Sequence, residues 1–134
     1  MQLFGKPKSK HKMDGLISNS TDIVGDVKFK GGFRVEGKVK GNIISDNDPD
    51  SILVIAETAT VEGDIFASNL IINGKVTGQI SATKLAQLES RANVEGDIAY
   101  AEISMLAGAV VNGSLIHKVD NSNTTLYQLE KAAA

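Results

Sequence analysis

The sequence predicts an all-β chain that winds into a single parallel β-helix, and two patterns along its 134 residues carry this prediction. The first pattern is a five-residue motif that occurs eight times, with aliphatic residues at both ends, glycine in the middle and at least one polar residue next to the glycine. The second is the regular return of this motif along the chain. The motifs are centred on Gly25, Gly37, Gly41, Gly63, Gly74, Gly78, Gly96 and Gly113.

The stretch VEGKVKGNI, residues 35–43, shows why the motif predicts short strands joined at corners. Side chains alternate between the two faces of a strand, so Val35, Val39 and Ile43 all point to one side and polar residues point to the other. Glycine inside a strand weakens it and marks a bend or a close approach of backbones. We therefore predict short strands with aliphatic side chains inside and glycines at the corners.

The repeat unit is about 17 residues long. Six of the glycines are separated by 16, 22, 15, 18 and 17 residues, and the long step contains a turn-rich segment, Asp46–Asp50. Four apolar residues are each 17 apart: Val54, Ile71, Leu88 and Met105. A unit this short does not hold the helix pairs of other solenoids, but it suits one coil of a parallel β-helix. Parallel crossovers prefer the right hand, so we expect a right-handed helix of about six coils.

This pattern divides the chain into three parts. Residues 1–14 form a hydrophobic and basic tail, residues 15–118 form the β-helix core, and residues 119–134 form a polar C-terminal tail.

A left-handed β-helix of the hexapeptide acyltransferase type would need a strict six-residue period and usually a catalytic histidine. An antiparallel sandwich would need hairpin turns, and Asn-Gly pairs occur only inside the repeat.

Composition limits the classes of function. The chain has no cysteine and no tryptophan, so thiolate chemistry and disulfides are unavailable. The formal net charge is −2; residues 1–13 contribute four lysines and no acid, which leaves −2 − 4 = −6 for the rest. No apolar run reaches the roughly 18 residues of a spanning helix, and no apolar signal-peptide stretch is present. We expect a cytoplasmic protein that does not bind nucleic acid.

The sequence predicts no catalytic, cofactor or metal site. Two outward acidic pairs could act as acid and base, but a solvated strand face explains them more simply; they are Glu62 with Asp64 and Glu95 with Asp97. The oxygen-rich segment Asp46–Asp50 could hold calcium, but it lacks EF-hand spacing and is expected to be a protruding loop. His11 lies outside the coils, and His117 is expected at the surface of the last one.

The N-terminal segment MQLFGKPKSKHK is expected to bind an anionic membrane. Two apolar residues precede a lysine at every second position. Each lysine near an anionic leaflet is worth about 1 kcal/mol, so a single copy binds weakly and many copies bind firmly. A soluble tail, or one that contacts nucleic acid, is the alternative. The predicted membrane-binding residues are Leu3, Phe4, Lys6, Lys8, Lys10 and Lys12.

The two ends of such a rod would expose unpaired strand edges and an apolar cross-section, which invite association. Repeat proteins normally need polar caps, and residues 13–21 are too few to form one. Residues 124–131 could form a half-cap or a free tail. We expect the rod to stack end to end. The predicted contact residues are Ile23, Val27, Phe29, Phe33 and Val35 at one end, and Met105, Leu106, Val110, Val111 and Leu115 at the other.

The repeated core sequences VEGKV and VEGDI, together with the start MQLFGKPKSK and a short polar C-terminus, resemble the bactofilins. The resemblance implies a bacterial cytoskeletal protein that polymerises without nucleotide into filaments lacking polarity, through contacts between like ends. It also implies membrane attachment through the N-terminal tail, on the inner face of the cell membrane, and a scaffolding role for cell-wall enzymes or polar proteins that influences cell shape. Members often place a phenylalanine in the last coils, but residues 101–119 contain none.

Two other functions remain open at this point. A β-helical enzyme, either an acyltransferase or a polysaccharide-active enzyme, would need acids, bases or histidines converging on one face, which the sequence hardly offers. A monomeric adhesin or ice-binding rod would need export and regular threonine or aromatic ladders. The sequence therefore favours a non-enzymatic structural polymer.

Overall fold

The chain is a parallel β-solenoid. The computed structural model describes residues 13–45 and 48–118, and within them the chain forms fifteen strands and no helix. All pairings between these strands are parallel, and the strands stack into about six turns. The predicted all-β parallel β-helix is confirmed, and its right-handed sense stays a prediction.

Each turn contributes one strand segment to each of three faces. Face one contains β1 (Met13–Ile17), β4 (Gly32–Val35), β7 (Ile52–Ile55) and the second halves of β9 (Ile65–Ile72), β11 (Ile80–Leu88) and β13 (Ile98–Met105). Face two contains β2 (Asp22–Val24), β5 (Lys38–Lys40), β8 (Thr60–Glu62), β10 (Lys75–Thr77), β12 (Asn93–Glu95) and β14 (Val110–Asn112). Face three contains β3 (Val27–Phe29), β6 (Ile43–Ser45), the first halves of β9, β11 and β13, and β15 (Leu115–His117).

The core is a set of aliphatic columns, because the same position of each turn points inward. On face two the register stacks Val39, Val61, Val76 and Val94 directly above one another, and all four are buried. The stretch analysed above behaves as predicted, since Val35, Val39 and Ile43 all lie in the core. Burying each such side chain contributes about 1.5–3 kcal/mol, so the stacked turns supply most of the stabilising free energy.

Glycine is required at the corner between face two and face three. Gly63 and Gly96 have φ values of +156° and +147° there, a region that disfavours side chains. A Cβ at Gly96 would also collide with the carbonyl oxygen of Gly78 in the turn below. The corner therefore needs glycine both for its backbone conformation and for the close stacking of turns.

The constant spacing of 17 residues fails at one step. Ile55, Ile72, Leu88 and Met105 form one stacked inner column, and the step from Ile72 to Leu88 is one residue shorter than the others. Val54 and Ile71 belong to the neighbouring, outward column, whose next member is Gln87. The predicted apolar ladder of Val54, Ile71, Leu88 and Met105 was thus wrong, because turn length varies and a one-residue shift moves a position to the other side of the strand.

We predict that Gly96→Ala destabilises the protein far more than Gly25→Ala does. Gly25 has a φ of +132°, but a Cβ there meets no atom within 4 Å because it lies in the first turn. Gly25→Ala should therefore lower the free energy of unfolding by only about 1–3 kcal/mol, through backbone strain. Gly96→Ala should lower it by a further amount of about 1–3 kcal/mol, through the collision. Urea unfolding of both variants measures this difference, and equal losses would contradict the steric role of the corner.

Candidate assembly site

The two ends of the solenoid leave strand edges without a partner strand among the described residues. At the N-terminal end β1, β2 and β3 pair on one side only, with β4, β5 and β6. At the C-terminal end β14 and β15 pair only with β12 and β13, and the second half of β13 pairs only with β11. Each end therefore offers backbone donors and acceptors to a further strand.

The C-terminal end also exposes its inner columns. Leu88 and Ile98 are fully buried, yet the residues stacked on them in the last turn, Met105 and Leu115, are 43% and 44% exposed. Val111 is half-buried above the fully buried Val94. These three predicted contact residues are the last members of their core columns in the described part of the chain.

The remaining predicted C-terminal residues lie on the outside of the rod. Val110 continues a face-two column whose lower members include Thr60, Lys75 and Asn93, so its side chain points outward. Leu106 follows β13 at the corner before face two and is exposed. Both residues border the end surface without belonging to the core columns.

The N-terminal end is more closed. Phe29 and Phe33 stack with their ring centroids 5.4 Å apart, and Phe29 is buried. Ile23 and Val27 are half-buried below Val39 and Ile43. Val35 is fully enclosed within the chain and belongs to the second turn, so it contributes to the core rather than to the end surface.

A ladder of polar side chains runs beside the corner glycines. The backbone N–H groups of Asn42 and Asp64 point toward the turn below, where the side-chain oxygens of Asp26 and Asn42 accept them at 2.9 Å. Asp64 accepts from the N–H of Gln79 at 3.0 Å, and Asp97 accepts from the N–H of Ser114 at 2.9 Å. We call these residues the corner ladder. They satisfy backbone donors that the strand pairing leaves unmatched.

The corner ladder explains part of the acidic pattern in the sequence. Asp64 and Asp97 bind the backbone of the next turn, and each lies two turns, about 10 Å, from the other. Glu62 and Glu95 lie on face two and are likewise two turns apart. This spacing separates the acidic pairs along the rod instead of bringing them together.

The loop before β7 is tied to its neighbours. Asp48 accepts hydrogen bonds from the N–H groups of Gly31 at 2.8 Å and Asp50 at 2.9 Å, and these bonds hold the pKa of Asp48 below its usual range. The backbone oxygen of Asp48 accepts from the Ser68 hydroxyl at 2.9 Å. Asp46 and Asn47 lie outside the described residues. Among the described side chains, no group of three or more potential metal ligands comes together.

His117 lies at the exposed surface of the last turn, as the sequence indicated. Its ring packs against Tyr100 in a tilted arrangement, with the ring centroids 5.6 Å apart, and its Nε2 lies 3.1 Å from the backbone oxygen of Ala101.

A line of apolar side chains on the outside of face three was missed from the sequence. The outward column contains four apolar residues, Ile44, Phe66, Ala99 and Ile116, with Ser81 between Phe66 and Ala99, and it forms the floor of a shallow groove of about 490 Å³. The motif search found only inward positions, and these outward residues align only when the register of every turn is known.

The predicted membrane-binding residues, Leu3 to Lys12, lie outside the described part of the chain. In residues 13–45 and 48–118, no helix has the length and apolar character needed to cross a bilayer.

These surfaces define a class of protein: a β-solenoid whose described turns end in open strand edges on both sides and bring together no set of metal-binding side chains. Comparison with known sequences identifies the family. A family profile described as "Bactofilin: Polymer-forming cytoskeletal" matches residues 15–116. The chain belongs to the bactofilin family, and it is therefore a member of a polymer-forming cytoskeletal family.

The chain is also similar to bactofilin BacO of Myxococcus xanthus (strain DK1622). The two sequences are 32% identical over 103 residues, which cover 77% of this chain and 71% of BacO. No solved structure matches the chain significantly.

We predict a pH-dependent contribution of Asp48 to stability. Because hydrogen bonds lower its pKa in the folded state, the ionised carboxylate stabilises the fold fully above the unfolded value of about 4. This contribution is lost as the pH falls through the lower folded value. The wild type should therefore be more stable than Asp48→Asn at pH 7, and the difference should shrink in acid. Urea unfolding from pH 7 to pH 3 measures it, and a difference that does not change with pH would contradict the prediction.

Proposed function

We propose that this chain polymerises end to end, without nucleotide, into filaments that attach to the cytoplasmic face of the cell membrane. Its family is polymer-forming. The observation that supports end contacts most directly is the exposure of Met105 and Leu115 above buried members of the same columns. A second rod placed on this end would bury these side chains and pair the open strand edges.

Apolar burial and strand pairing are sufficient to drive this association. Both are equilibrium interactions that need no hydrolysis step, which is consistent with assembly in the absence of nucleotide. The bactofilin resemblance implies contacts between like ends. Strands that meet across a two-fold axis perpendicular to the rod run antiparallel, and antiparallel edges form good hydrogen-bond ladders. A filament built in this way has no overall polarity.

The C-terminal end is proposed as the more adhesive surface. Three of its inner-column residues are exposed or half-buried, whereas at the N-terminal end Phe29 is already buried and stacks on Phe33. At the N-terminal end, Ile23, Val27 and Phe33 remain half-exposed and supply the apolar part of the second contact. The phenylalanine that members often carry in the last coils is replaced here by aliphatic residues.

Membrane attachment is assigned to the N-terminal segment. Leu3 and Phe4 supply apolar anchors, and the alternating lysines supply attraction to anionic lipids. One copy binds weakly, but a filament presents many copies in a row and binds through avidity.

Scaffolding is the proposed biological role, and catalysis is not. A filament repeats the same three faces along its length, so it can hold many copies of a cell-wall enzyme or polar protein at one place on the membrane. Cell shape would then depend on where the filament lies.

We predict that Leu115→Asp prevents filament formation. A charge buried at the end contact, without a partner, costs at least about 2 kcal/mol, which corresponds to a rise of at least about 30-fold in the concentration needed for assembly. Negative-stain electron microscopy and pelleting across a concentration series measure this effect. Phe66→Asp is the matched control, because Phe66 is 43% exposed but lies on a side face. Filaments in Leu115→Asp at wild-type concentrations would contradict the proposed contact.

We predict that replacing Leu3 and Phe4 by serine abolishes co-sedimentation with anionic vesicles and leaves filaments intact. Partial burial of each side chain in lipid contributes up to about 2 kcal/mol, and the β-helix lies elsewhere in the chain. Vesicles of neutral lipid are the control for the lysine contribution. Undiminished binding of the double variant to anionic vesicles would contradict the assignment of these anchors.

A further inference from the structure

The groove on face three is an unusual surface for the side of a β-solenoid. Its floor spans five turns, from Ile44 to Ile116, and four of the five floor residues are apolar. Phe66, the largest of them, is 43% exposed. The corresponding outward positions of face two are mostly charged or polar, as expected for a solvated face. The groove therefore presents apolar surface that no other described part of the chain covers.

One edge of the groove is acidic. Asp64 and Asp97 line it, and Asp26 continues the same ladder into the first turn. One carboxylate oxygen of each residue accepts a backbone N–H, and the negative charge remains at the edge of the groove. Among the described residues of this surface, the basic ones lie at its two extremities, where Lys28 belongs to the same outward column and Lys118 lines the far end.

The N-terminal segment matches this surface in chemistry. Residues 1–12 combine two adjacent apolar side chains, Leu3 and Phe4, with four lysines and no acid. The rest of the chain has a formal charge of −2 − 4 = −6. An apolar floor beside an acidic edge is complementary to a segment with apolar anchors and a row of lysines.

The point where the segment joins the rod is also favourable. Met13 pairs with Gly32, which follows Lys30 and Gly31 directly after the face-three strand β3. The segment thus starts beside the edge of face three in the first turn. Nine residue-to-residue steps lead from Phe4 to Met13 and can span up to about 30 Å, whereas five steps between turns cover only about 24 Å. Leu3 and Phe4 can therefore reach any part of the groove.

We propose that residues 1–12 dock into the face-three groove of their own chain, with Leu3 and Phe4 on the apolar floor and the lysines along Asp26, Asp64 and Asp97. Because the segment is covalently attached, its effective concentration is in the millimolar range, and weak contacts are enough to hold it. Docking hides the same two side chains that are proposed to enter the membrane. An anionic lipid surface must then compete with the groove, so the body of the protein restrains its own membrane segment.

The C-terminal segment is a poorer occupant. It leaves at Lys118, beside Ile116, but residues 119–134 contain two acids, Asp120 and Glu130, and one base, Lys131. Its net negative charge is repelled by the acidic edge of the groove.

Cysteine cross-linking of the full-length chain tests the proposal, since the natural sequence contains no cysteine. The test pair is Gln2→Cys with Ser81→Cys, because Ser81 lies in the middle of the groove. The matched control is Gln2→Cys with Thr77→Cys, because Thr77 lies in the same turn but on face two. A third pair, Leu126→Cys with Ser81→Cys, reports on the C-terminal segment. No lipid is present, so the result does not depend on membrane binding.

We expect the test pair to form a disulfide within one chain at least about tenfold faster than the control pair, because docking raises the local concentration at one face only. Phe66→Ser should slow the test pair several-fold, and Val24→Ser, which replaces an exposed residue on face two, should leave it unchanged. Added salt should slow it as well. Equal rates for the test and control pairs, cross-links mainly between chains, or faster reaction of the third pair than of the test pair would each overturn the proposal.

Discussion

The fold depends on the close stacking of backbones at the corner between face two and face three. There the N–H of Gly41 donates to Glu62 and the N–H of Ile43 donates to Asp64, both in the turn above, while the side chain of Asp26 accepts the downward N–H of Asn42. The backbone pair repeats at Gly63, Gly78 and Gly96. The side-chain acceptor repeats at the first two of these corners, for the N–H groups of Asp64 and Gln79. A side chain at any of these glycines would push the turns apart and interrupt both the hydrogen bonds and the aliphatic columns beside them.

Local pattern was enough to predict the elements of the fold. Glycine at fixed distances from aliphatic residues indicated corners and inward positions, and the placement of Val35, Val39 and Ile43 in the core agrees with it. The relation between turns was harder to predict, because the number of residues per turn varies. A single step shorter by one residue separates Leu88 from the column of Ile71 and places it above Ile72.

The functional surfaces, too, could be predicted from the sequence only where they do not depend on how the turns align. Exposure of Leu115 follows from its position in the last motif, so sequence reasoning could find it. The corner ladder and the face-three groove consist of residues from different turns, such as Ile44, Phe66 and Ile116, which are far apart in sequence. Their proximity is a property of the register, and the motif does not encode the register by itself. The reduced exposure of Phe29 likewise results from a stack with Phe33 in the next turn.

The corner ladder alternates acidic and neutral side chains and ends on a neutral one. Asp26, Asp64 and Asp97 carry carboxylates, Asn42 and Gln79 lie between them, and the last turn has Ser114 at this position. A carboxylate can only accept hydrogen bonds, and two of them brought face to face repel each other, whereas a hydroxyl both donates and accepts. If two C-terminal ends meet, serine at this site avoids the repulsion between two carboxylates at the contact. Its hydroxyl group can also exchange hydrogen bonds with the other subunit. The ladder position of the terminal turn thus keeps the geometry of the ladder and presents no charge to a copy of itself.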